Sequence, residues 1–228
     1  MYNDCIRVKI QILRKGVSVA LKDGLKNAVS VAKMRESDAY TIKNFIESRK
    51  LMFRAALGVY SSVSWNGRRT AVICGGGNNG GDGYALASIL ADCGHSVEIF
   101  RVSPKFSGDG SYYHNLALSK GVPSSMFSSM QDLSGYDIVV DCIFGTGFCG
   151  VPNGLAAEAI TAINRSGAFV VSVDINSGMN GDSGEGELAV KSDLTVSIGF
   201  YKTGMFCGRA GELIGKLVNA DIGIVLSE

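Results

Sequence analysis

Short apolar runs alternate with helix-like segments through most of the chain. Four runs that are almost continuously apolar have the length expected of buried β-strands, at 70–74, 96–102, 136–141 and 168–173. Segments before and between them predict helices, at 36–48, 51–63, from the end of a glycine-rich loop to about 93, 109–120 and 155–165. Further strand material follows at 194–198 and 217–224.

This alternation predicts an α/β fold. Near-continuous apolar strands are typical of parallel sheets covered on both faces. We therefore expect a Rossmann-like, doubly wound, mostly parallel sheet with helices on both faces, a three-layer α/β/α arrangement. Ligands bind beyond the carboxyl ends of the strands in such sheets. Three segments begin where an apolar strand stops and are the candidate ligand loops: 75–83, 141–154 and 174–186.

Glycine is concentrated in these same loops. The chain has 228 residues, of which 30 are glycine and only 3 proline, and 14 of the glycines fall within the 28 residues 75–83, 145–154 and 178–186. Clustered glycines at strand ends indicate places where backbone approaches a ligand closely. The rest of the composition excludes other classes, since no apolar run is long enough to span a bilayer and a net charge of +1 argues against a nucleic-acid-binding surface.

Cysteine and histidine do not predict a zinc site. The six cysteines show no C-x-x-C pair, and His95 and His114 are the only histidines. Several cysteines lie in apolar runs, which is typical of buried, reduced thiols in a cytoplasmic protein. His95 lies between a predicted helix and a predicted strand, where a structural role is expected.

The first 33 residues differ from the remainder in charge. They carry seven Lys or Arg against two Asp or Glu, and we treat 1–33 as a basic N-terminal extension and 34–228 as one domain. Three interpretations stay open: a targeting peptide, an extra surface helix with Leu21 and Leu25 at helical spacing, or a start placed too early, with Met34 as the natural first residue.

The first glycine loop permits two interpretations. Gly75, Gly77 and Gly80 satisfy the dinucleotide-binding pattern G-x-G-x-x-G, with Glu98 near the spacing of a ribose-binding acid, so an NAD-dependent oxidoreductase is a candidate. However, Asp82 would face the pyrophosphate, and Glu98 falls inside its strand rather than at its end. The string Asn78-Asn-Gly-Gly-Asp82 is better interpreted as a polar ligand loop, in which Asp82 alone could instead cap the next helix.

The other two loops add carboxylates and hydroxyls at neighbouring strand ends. Asp141 precedes a Gly-Thr-Gly turn, and Asp174 precedes Ser177. Oxygens from Asn79, Asp141 and Ser177 could hold a hard cation such as K⁺, Na⁺ or Mg²⁺, and one carboxylate among neutral oxygens favours a monovalent ion. Lys202 follows the strand at 194–198 on the same edge. It is either an exposed surface lysine, a phosphate ligand or a partner of Asp174 in proton transfer.

Together these strings resemble the YjeF N-terminal domain family, the NAD(P)HX epimerases. The resemblance covers about residues 33–226 and rests on ordered motifs: Lys33-Met-Arg-Glu-Ser-Asp38, Asn78-Asn-Gly-Gly-Asp82, Asp141-Cys-Ile-Phe-Gly-Thr-Gly147, Val173-Asp-Ile-Asn-Ser-Gly178, Lys202-Thr-Gly204 and Asp221-Ile-Gly223. Two positions depart from it. Asn176 replaces a usual proline, which predicts a more mobile loop, and Phe53 replaces a usual glutamate, which predicts an altered helix contact or subunit surface.

The resemblance implies an isomerase of nicotinamide-nucleotide repair. It implies interconversion of the R and S forms of hydrated NADH and NADPH at nicotinamide C6, with Asp174 and Lys202 as catalytic residues. The implied substrate-binding residues are Asn78, Asn79, Gly80, Gly81, Asp82, Gly145, Thr146, Gly147, Phe148, Cys149, Gly150, Val151 and Asp174. It also implies one K⁺ per subunit held by Asn79, Asp141 and Ser177, a homodimer, and a separate NAD(P)HX dehydratase acting alongside. The alternatives are the oxidoreductase above and a non-catalytic nucleotide-binding or scaffold module of the same fold.

Overall fold

The computed structural model describes residues 27–228, in which seven strands form one sheet. The strands are β1 Thr70–Cys74, β2 Val97–Arg101, β3 Ser124–Met126, β4 Ile138–Cys142, β5 Phe169–Val173, β6 Ser192–Ile198 and β7 Ile214–Ala220. Their order is β3-β2-β1-β4-β5-β6-β7, and every neighbouring pair is parallel. The direction of strand addition reverses between β1 and β4, so the predicted doubly wound fold is confirmed and its switch point lies between these two strands.

Helices cover both faces of the sheet. They are α1 Val31–Asn44, α2 Ser48–Ser62, α3 Asn78–Asp92, α4 Gly108–Ser119, α5 Gly154–Arg165 and α6 Ala210–Leu213, with a 3₁₀ turn at Thr203–Phe206. The first four pack with the strand side chains of one face, including Val72 and Val140, whereas α5 packs with Ile73 and Val139 on the other face. Because parallel crossovers are right-handed, the reversal of strand order at β4 places its crossover helix on the opposite face from α3.

The first described helix begins earlier than the sequence pattern suggested. Helix α1 begins at Val31 rather than near 36 because the Ser30 hydroxyl accepts a hydrogen bond from the Lys33 amide at 3.1 Å. Val29 forms a parallel bridge with Lys202. The expected division between 33 and 34 therefore falls inside a helix. Leu21, Leu25 and the rest of 1–26 lie outside the described residues, so the three interpretations of that segment stay as they were.

The segment after β7 returns to helix α1. The amide of Val225 donates to the Thr41 hydroxyl at 2.9 Å, and the amide of Ser227 donates to the Ser37 hydroxyl at 3.1 Å. The ammonium of Lys33 donates to the Ser227 carbonyl at 2.6 Å. Because these three helix positions are four residues apart, one face of α1 is attached along two turns to this segment.

Several local predictions were wrong. Helix α3 begins at Asn78 with Gly77 as its N-cap, so Asp82 lies in the second turn and does not cap the helix. Ser107, not Asp109, caps α4. The sequence pattern missed β3, and β7 lies at 214–220 instead of 217–224.

The cysteine and histidine predictions can be compared with the structure. Among the described cysteines Cys74 and Cys142 are buried, as expected, whereas Cys93, Cys149 and Cys207 are exposed. The His95 ring packs beside Tyr60, with Nε2 3.4 Å from its hydroxyl, which confirms the structural role predicted for it. Within residues 27–228 no helix combines the length and apolar character needed to cross a membrane.

Candidate active site

A cavity of about 530 Å³ opens beyond the carboxyl ends of β1, β4 and β5, at the topological switch point. Its walls come from helices α1, α2 and α3 and from the loops that follow β4 and β5. The predicted site residues that line it are Asn78, Asn79, Asp82, Gly145, Thr146, Gly147, Phe148 and Asp174. A second cavity, of about 470 Å³, lies between 129–134 and α5 and contains none of the predicted residues.

Glycines allow the loops to meet without intervening side chains. A β-carbon placed on Gly75 would lie 1.9 Å from the Ile143 carbonyl oxygen, and one on Gly80 would lie 2.0 Å from the Gly75 carbonyl oxygen. One on Gly145 would lie 2.8 Å from Oδ2 of Asp174. The two backbone contacts leave no room for a β-carbon, whereas at Gly145 the Asp174 side chain would have to shift, which gives the clustered glycines a physical reason.

Asp174 is the strained residue of the site. Its φ of 69° is the one positive value among the described non-glycine residues, and this left-handed conformation is unfavourable for a residue with a β-carbon. Oδ2 accepts a hydrogen bond from the Thr146 amide at 3.0 Å, and Oδ1 accepts one from the ammonium of Lys202. The carboxylate is thus held at the cavity wall from two sides.

Lys202 is completely buried, so the interpretation as an exposed surface lysine was wrong. Besides Asp174, its ammonium donates to the Ile198 carbonyl at 2.9 Å and lies 3.3 Å from the Ser197 hydroxyl. These partners occupy all three ammonium protons. The arrangement leaves none of them free for a substrate phosphate, and it favours a role in holding Asp174.

Asp141 lies beneath the cavity and connects two loops. Its Oδ2 accepts hydrogen bonds from the Ser172 hydroxyl and the Ser177 amide, both at 2.9 Å, and its Oδ1 accepts the Ile143 amide and the Ser177 hydroxyl. Complete burial raises the pKa of Asp141, and these hydrogen bonds oppose that rise. The carboxylate joins the loop after β4 to the loop after β5.

Asn79 carries an unsatisfied oxygen. Its amide nitrogen donates to the Phe144 carbonyl at 2.9 Å, whereas its buried Oδ1 has no hydrogen-bond partner within residues 27–228. Ser177 contacts the same residue, since its hydroxyl accepts a hydrogen bond from the Phe144 amide at 2.8 Å. The three predicted metal ligands thus converge on one loop, with an orphaned carbonyl oxygen among them. Such an oxygen is costly to bury unless a cation, water or ligand group pairs with it.

Two more carboxyl groups share the cavity. Asp38, on α1, belongs to a string that carried the resemblance, but sequence reasoning gave it no role. Burial and the neighbouring Asp174 raise the pKa of Asp38, and Lys202 opposes that rise. Burial also raises the pKa of Asp82 well above its ordinary value. The cavity therefore combines a lysine-held carboxylate with two carboxyl groups that tend to keep their protons.

Sequence reasoning included Phe148 but missed a cation, Arg35, and the stacking of Phe144 on Phe148 at the cavity. The Arg35 guanidinium lies 3.5 Å from the Thr146 carbonyl oxygen and is exposed. The rings of Phe144 and Phe148 stack with centroids 4.0 Å apart and an angle of 16° between their planes. A guanidinium and a flat apolar wall suit the anionic and aromatic parts of a nucleotide. The spacing of these residues along the chain does not reveal that they meet.

Other predicted residues lie beside the cavity rather than on its wall. Gly80 and Gly81 belong to the first turn of α3, where Gly81 packs against Met52. Cys149, Gly150 and Val151 continue the loop past Phe148 and are exposed. They are close enough in the chain to contact a ligand that extends out of the cavity.

Glu98 does not occupy the place of a ribose-binding acid. It accepts a hydrogen bond of 2.5 Å from the Tyr136 hydroxyl and is absent from the cavity wall. The dinucleotide-binding pattern of an oxidoreductase therefore lacks its ribose-binding acid. The position of Glu98 inside strand β2 already suggested this.

The two departures from the family pattern have different surroundings. Asn176 is completely buried, donating to the Val190 and Leu213 carbonyls at 2.9 Å each and accepting from Thr195 at 2.6 Å. These bonds hold the loop, contrary to the mobility expected from the missing proline. Phe53 is exposed on α2 and lies outside the cavity.

Comparison with known proteins identifies relatives over most of the chain. The chain is 32% identical to the NAD(P)H-hydrate epimerase of Limosilactobacillus fermentum over 201 residues, covering 86% of this chain and 97% of the relative. It is 35% identical to that of Oenococcus oeni over 204 residues, covering 86% and 96%. A bifunctional NAD(P)H-hydrate repair enzyme from Thermofilum pendens is 37% identical over 156 residues, covering 64% of this chain and 30% of that protein.

The fold has a counterpart among solved structures. The crystal structure of yeast ynu0 superposes with a TM-score of 0.71 at 21% identity, covering 84% of this chain and 86% of that one. Residues 41–204 match the family described as YjeF-related protein N-terminus. This match spans all three glycine-rich loops and the Asp174–Lys202 pair, and it accounts for more than half of the sequence. The chain belongs to the YjeF-related protein N-terminus family.

Proposed function

We propose that this protein is an NAD(P)H-hydrate epimerase, which interconverts the R and S forms of hydrated NADH and NADPH. One observation carries the proposal: a lysine-held carboxylate, Asp174, opens into the cavity of a chain that matches curated epimerases over nearly their whole length. The oxidoreductase alternative is less well supported because Glu98, the candidate ribose-binding acid, bonds to Tyr136 instead of lining the cavity.

The reaction requires modest acid–base catalysis. C6 of the hydrated nicotinamide carries a hydroxyl and is bonded to the ring nitrogen, so the centre is a hemiaminal. Its configuration is lost when protonation lets the hydroxyl leave as water while the nitrogen lone pair forms a double bond to C6. Water then returns on either face; opening of the ring is the other route. A positioned carboxylate such as Asp174 assists by moving a proton at the C6 oxygen.

The loops supply contacts for the rest of the dinucleotide. Residues 78–82 place amides and the first turn of α3 at the cavity, and a helix N-terminus favours phosphate groups. Residues 145–151 supply backbone amides and the Phe148 ring along one wall. We assign substrate binding to these two segments and to Asp174.

We also propose one K⁺ per subunit, held by Asn79, Asp141 and Ser177. The residues fit such an ion because Asn79 presents a buried, unpaired carbonyl oxygen and the group contains a single carboxylate among neutral oxygens. A bound cation would satisfy that oxygen and keep the loops after β4 and β5 together. Asp174, held by Lys202, faces the substrate cavity.

The resemblance and the surface support a homodimer. Exposed apolar side chains occur on α1 and just after it, on α2 and on the segment after β7, namely Tyr40, Phe45, Phe53, Leu57, Val225 and Leu226.

We place the protein in the cytoplasm, where nicotinamide nucleotides are used. A dehydratase would act on the epimerised product, as the bifunctional repair enzyme among the relatives of this chain suggests.

The decisive experiment uses separated R and S epimers of NADHX. Each is incubated with the protein, with K⁺ present or replaced by a large organic cation, and the ratio is followed by chromatography against a sample without protein. Approach to the same equilibrium ratio from both sides, faster with K⁺, is expected. An unchanged ratio in both arms would instead favour a binding or scaffold module. Oxidation of the cofactor with an alcohol or aldehyde partner would favour an oxidoreductase.

A further inference from the structure

We propose that Asp38 is a second catalytic residue of this site: its carboxyl group donates the proton that leaves with the C6 hydroxyl, while the Asp174 carboxylate receives the proton of the incoming water. The inference rests on the proposed epimerase function. It assigns the proton donor, for which the glycine loops offer no candidate as well placed. It follows from the position of Asp38, its lack of a structural partner and the charge of the cavity.

Asp38 is brought to the cavity by the attachment of helix α1. One face of α1 is held to the segment after β7 through Ser37 and Thr41, and a neighbouring face carries Met34, Arg35 and Asp38 into the cavity wall. A helix fixed in this way cannot rotate Asp38 away from the ligand. The carboxyl group is therefore positioned, rather than being one of many mobile surface acids.

Asp38 has no structural task in the described part of the chain. Other aspartates there stabilise the fold, as Asp137 accepts the Arg69 amide at 2.8 Å and Asp193 accepts the Val170 amide at 2.7 Å. No hydrogen bond or ion pair within residues 27–228 involves the Asp38 carboxyl. The Asp38 carboxyl is therefore available to a ligand in the cavity, whose wall it helps to form.

The charges around Asp38 favour its protonated form. The groups that line the cavity with it or act on it are Arg35 on the same helix, Asp82 on α3, Asp174 after β5 and Lys202 after β6. The ammonium of Lys202 is committed to Asp174, and the Arg35 guanidinium is exposed beside the Thr146 carbonyl. Three carboxyl groups thus share one buried cation, and burial together with Asp174 raises the pKa of Asp38.

Asp82 has a different place in the cavity. Both side chains are partly exposed, but Asp82 lies in the second turn of α3, within the string 78–82 assigned to substrate binding. A catalytic acid must be reprotonated after each turnover, and the partly exposed Asp38 on α1 meets that requirement. We therefore assign Asp82 to contact with the bound ligand and Asp38 to proton transfer.

The proposed step balances. The Asp38 O–H bond breaks and its proton joins the C6 hydroxyl; the C6–O bond breaks, both electrons leave with water, and the N1 lone pair forms the second bond to C6. A water oxygen then bonds to the other face of C6, the double-bond electrons return to N1, and the surplus proton passes to Asp174. Exchange with solvent returns a proton to Asp38 and removes one from Asp174.

The test compares wild-type protein with Asp38→Asn and with Glu36→Gln, an exposed acid two residues earlier on the same helix. General acids contribute about 10²- to 10⁴-fold. We expect kcat for NADHX epimerisation to fall at least about 100-fold in Asp38→Asn with KM little changed, and to be unaffected in Glu36→Gln. In wild-type protein we expect kcat to fall as the pH rises through the pKa of Asp38, and this fall should be absent from the residual activity of Asp38→Asn.

A second variant separates a chemical role from a structural one. In Asp38→Ala, added formate should restore activity by about tenfold or more, because a small carboxylic acid can occupy the vacated space. Wild-type kcat in Asp38→Asn, an effect on KM alone, or absence of rescue in a folded Asp38→Ala protein would overturn the proposal for Asp38. Inactive wild-type protein would instead overturn the epimerase function itself.

Discussion

The buried ammonium of Lys202 donates a hydrogen bond to Oδ1 of Asp174, a residue whose backbone has a φ of 69°. The pair connects the end of β5 to the segment after β6. The lysine is completely buried, whereas 16% of the Asp174 side chain remains exposed. The cation is thus sealed in the protein, and the anion is presented to the ligand.

Replacement of Asp174 should abolish catalysis without unfolding the protein. Asp174→Asn keeps the side-chain volume and removes the charge that accepts a proton. We expect epimerisation of NADHX to slow by about 10²- to 10⁴-fold, with thermal unfolding still cooperative. Chromatographic rates and a melting curve on the same sample test this. Full activity in the variant would remove Asp174 from the mechanism.

Removal of the lysine alone should cost more stability than removal of both charges. Lys202→Met leaves the Asp174 carboxylate without its cation, and breaking a buried pair costs about 3 kcal/mol. The double variant Lys202→Met/Asp174→Asn leaves no charge unpaired, so its free energy of unfolding should lie closer to that of wild-type protein. Urea unfolding of all four proteins measures the coupling. Equal losses in the single and double variants would contradict the pairing.

A methyl group on Gly145 should displace the Asp174 carboxylate. The added β-carbon would lie 2.8 Å from Oδ2 of Asp174 and 3.3 Å from Cβ of Asn79. We expect Gly145→Ala to lower kcat by about tenfold or more, since small misplacements of a catalytic group are costly. Gly108→Ala is the matched control because nothing lies within 4 Å of its added β-carbon. Similar kcat values in the two variants would argue against this crowding.

The partly buried Asp82 should make the protein less stable as pH rises. Burial raises its pKa in the folded state above the ordinary 3.8, so from there up to the folded pKa the folded chain binds more protons than the unfolded chain. Rising pH then favours unfolding. In Asp82→Asn, the gain in unfolding free energy relative to wild type should grow with pH, by at most about 1.4 kcal/mol per unit.

Urea unfolding between pH 4 and pH 8 measures this difference. Asp132→Asn provides the comparison because Asp132 is exposed and hydrogen bonds from Ser134 lower its pKa. That variant should show no growing gain. A difference between Asp82→Asn and wild type that is constant across the range would show that the Asp82 carboxyl is ionised in the folded protein.

Solvent oxygen should enter the substrate with each inversion. If C6 loses water and regains it, epimerisation in water enriched in ¹⁸O places one labelled oxygen at C6, and mass spectrometry of the product detects it. Label should appear at the rate of epimerisation after subtraction of the rate without protein. Epimerisation that retains the original oxygen would favour opening and reclosure of the ring.

Hydrophobic pattern predicted the sheet well because burial on both faces leaves a strong signal. Strands β1, β4 and β5 are buried almost throughout, and their runs are apolar in the sequence. Strand β3, Ser124–Met126, is short and lies at the sheet edge, where polar residues are tolerated, so no apolar run marks it. The start of α3 was hidden for another reason: glycine is a poor helix former, and tertiary contacts impose the helix on Gly80, Gly81 and Gly83.

The candidate site was predictable where its residues follow strands. Asn79, Asp141, Asp174 and Ser177 stand at strand ends that the parallel topology brings to one edge. Asp38 belongs to a helix, and contacts with distant segments, including the one after β7 nearly 190 residues later, fix which way that helix faces. Local sequence therefore could not assign it.

The attachment of α1 to the segment after β7 also affects the order in which the protein becomes active during its synthesis. Thr41 and Ser37 meet partners that are 184 and 190 residues further along the chain. A nascent chain on the ribosome can form its central strands before those partners have been made, but Asp38 cannot yet be held at the cavity. Completion of the proposed acid–base site is thereby deferred until translation has passed residue 227.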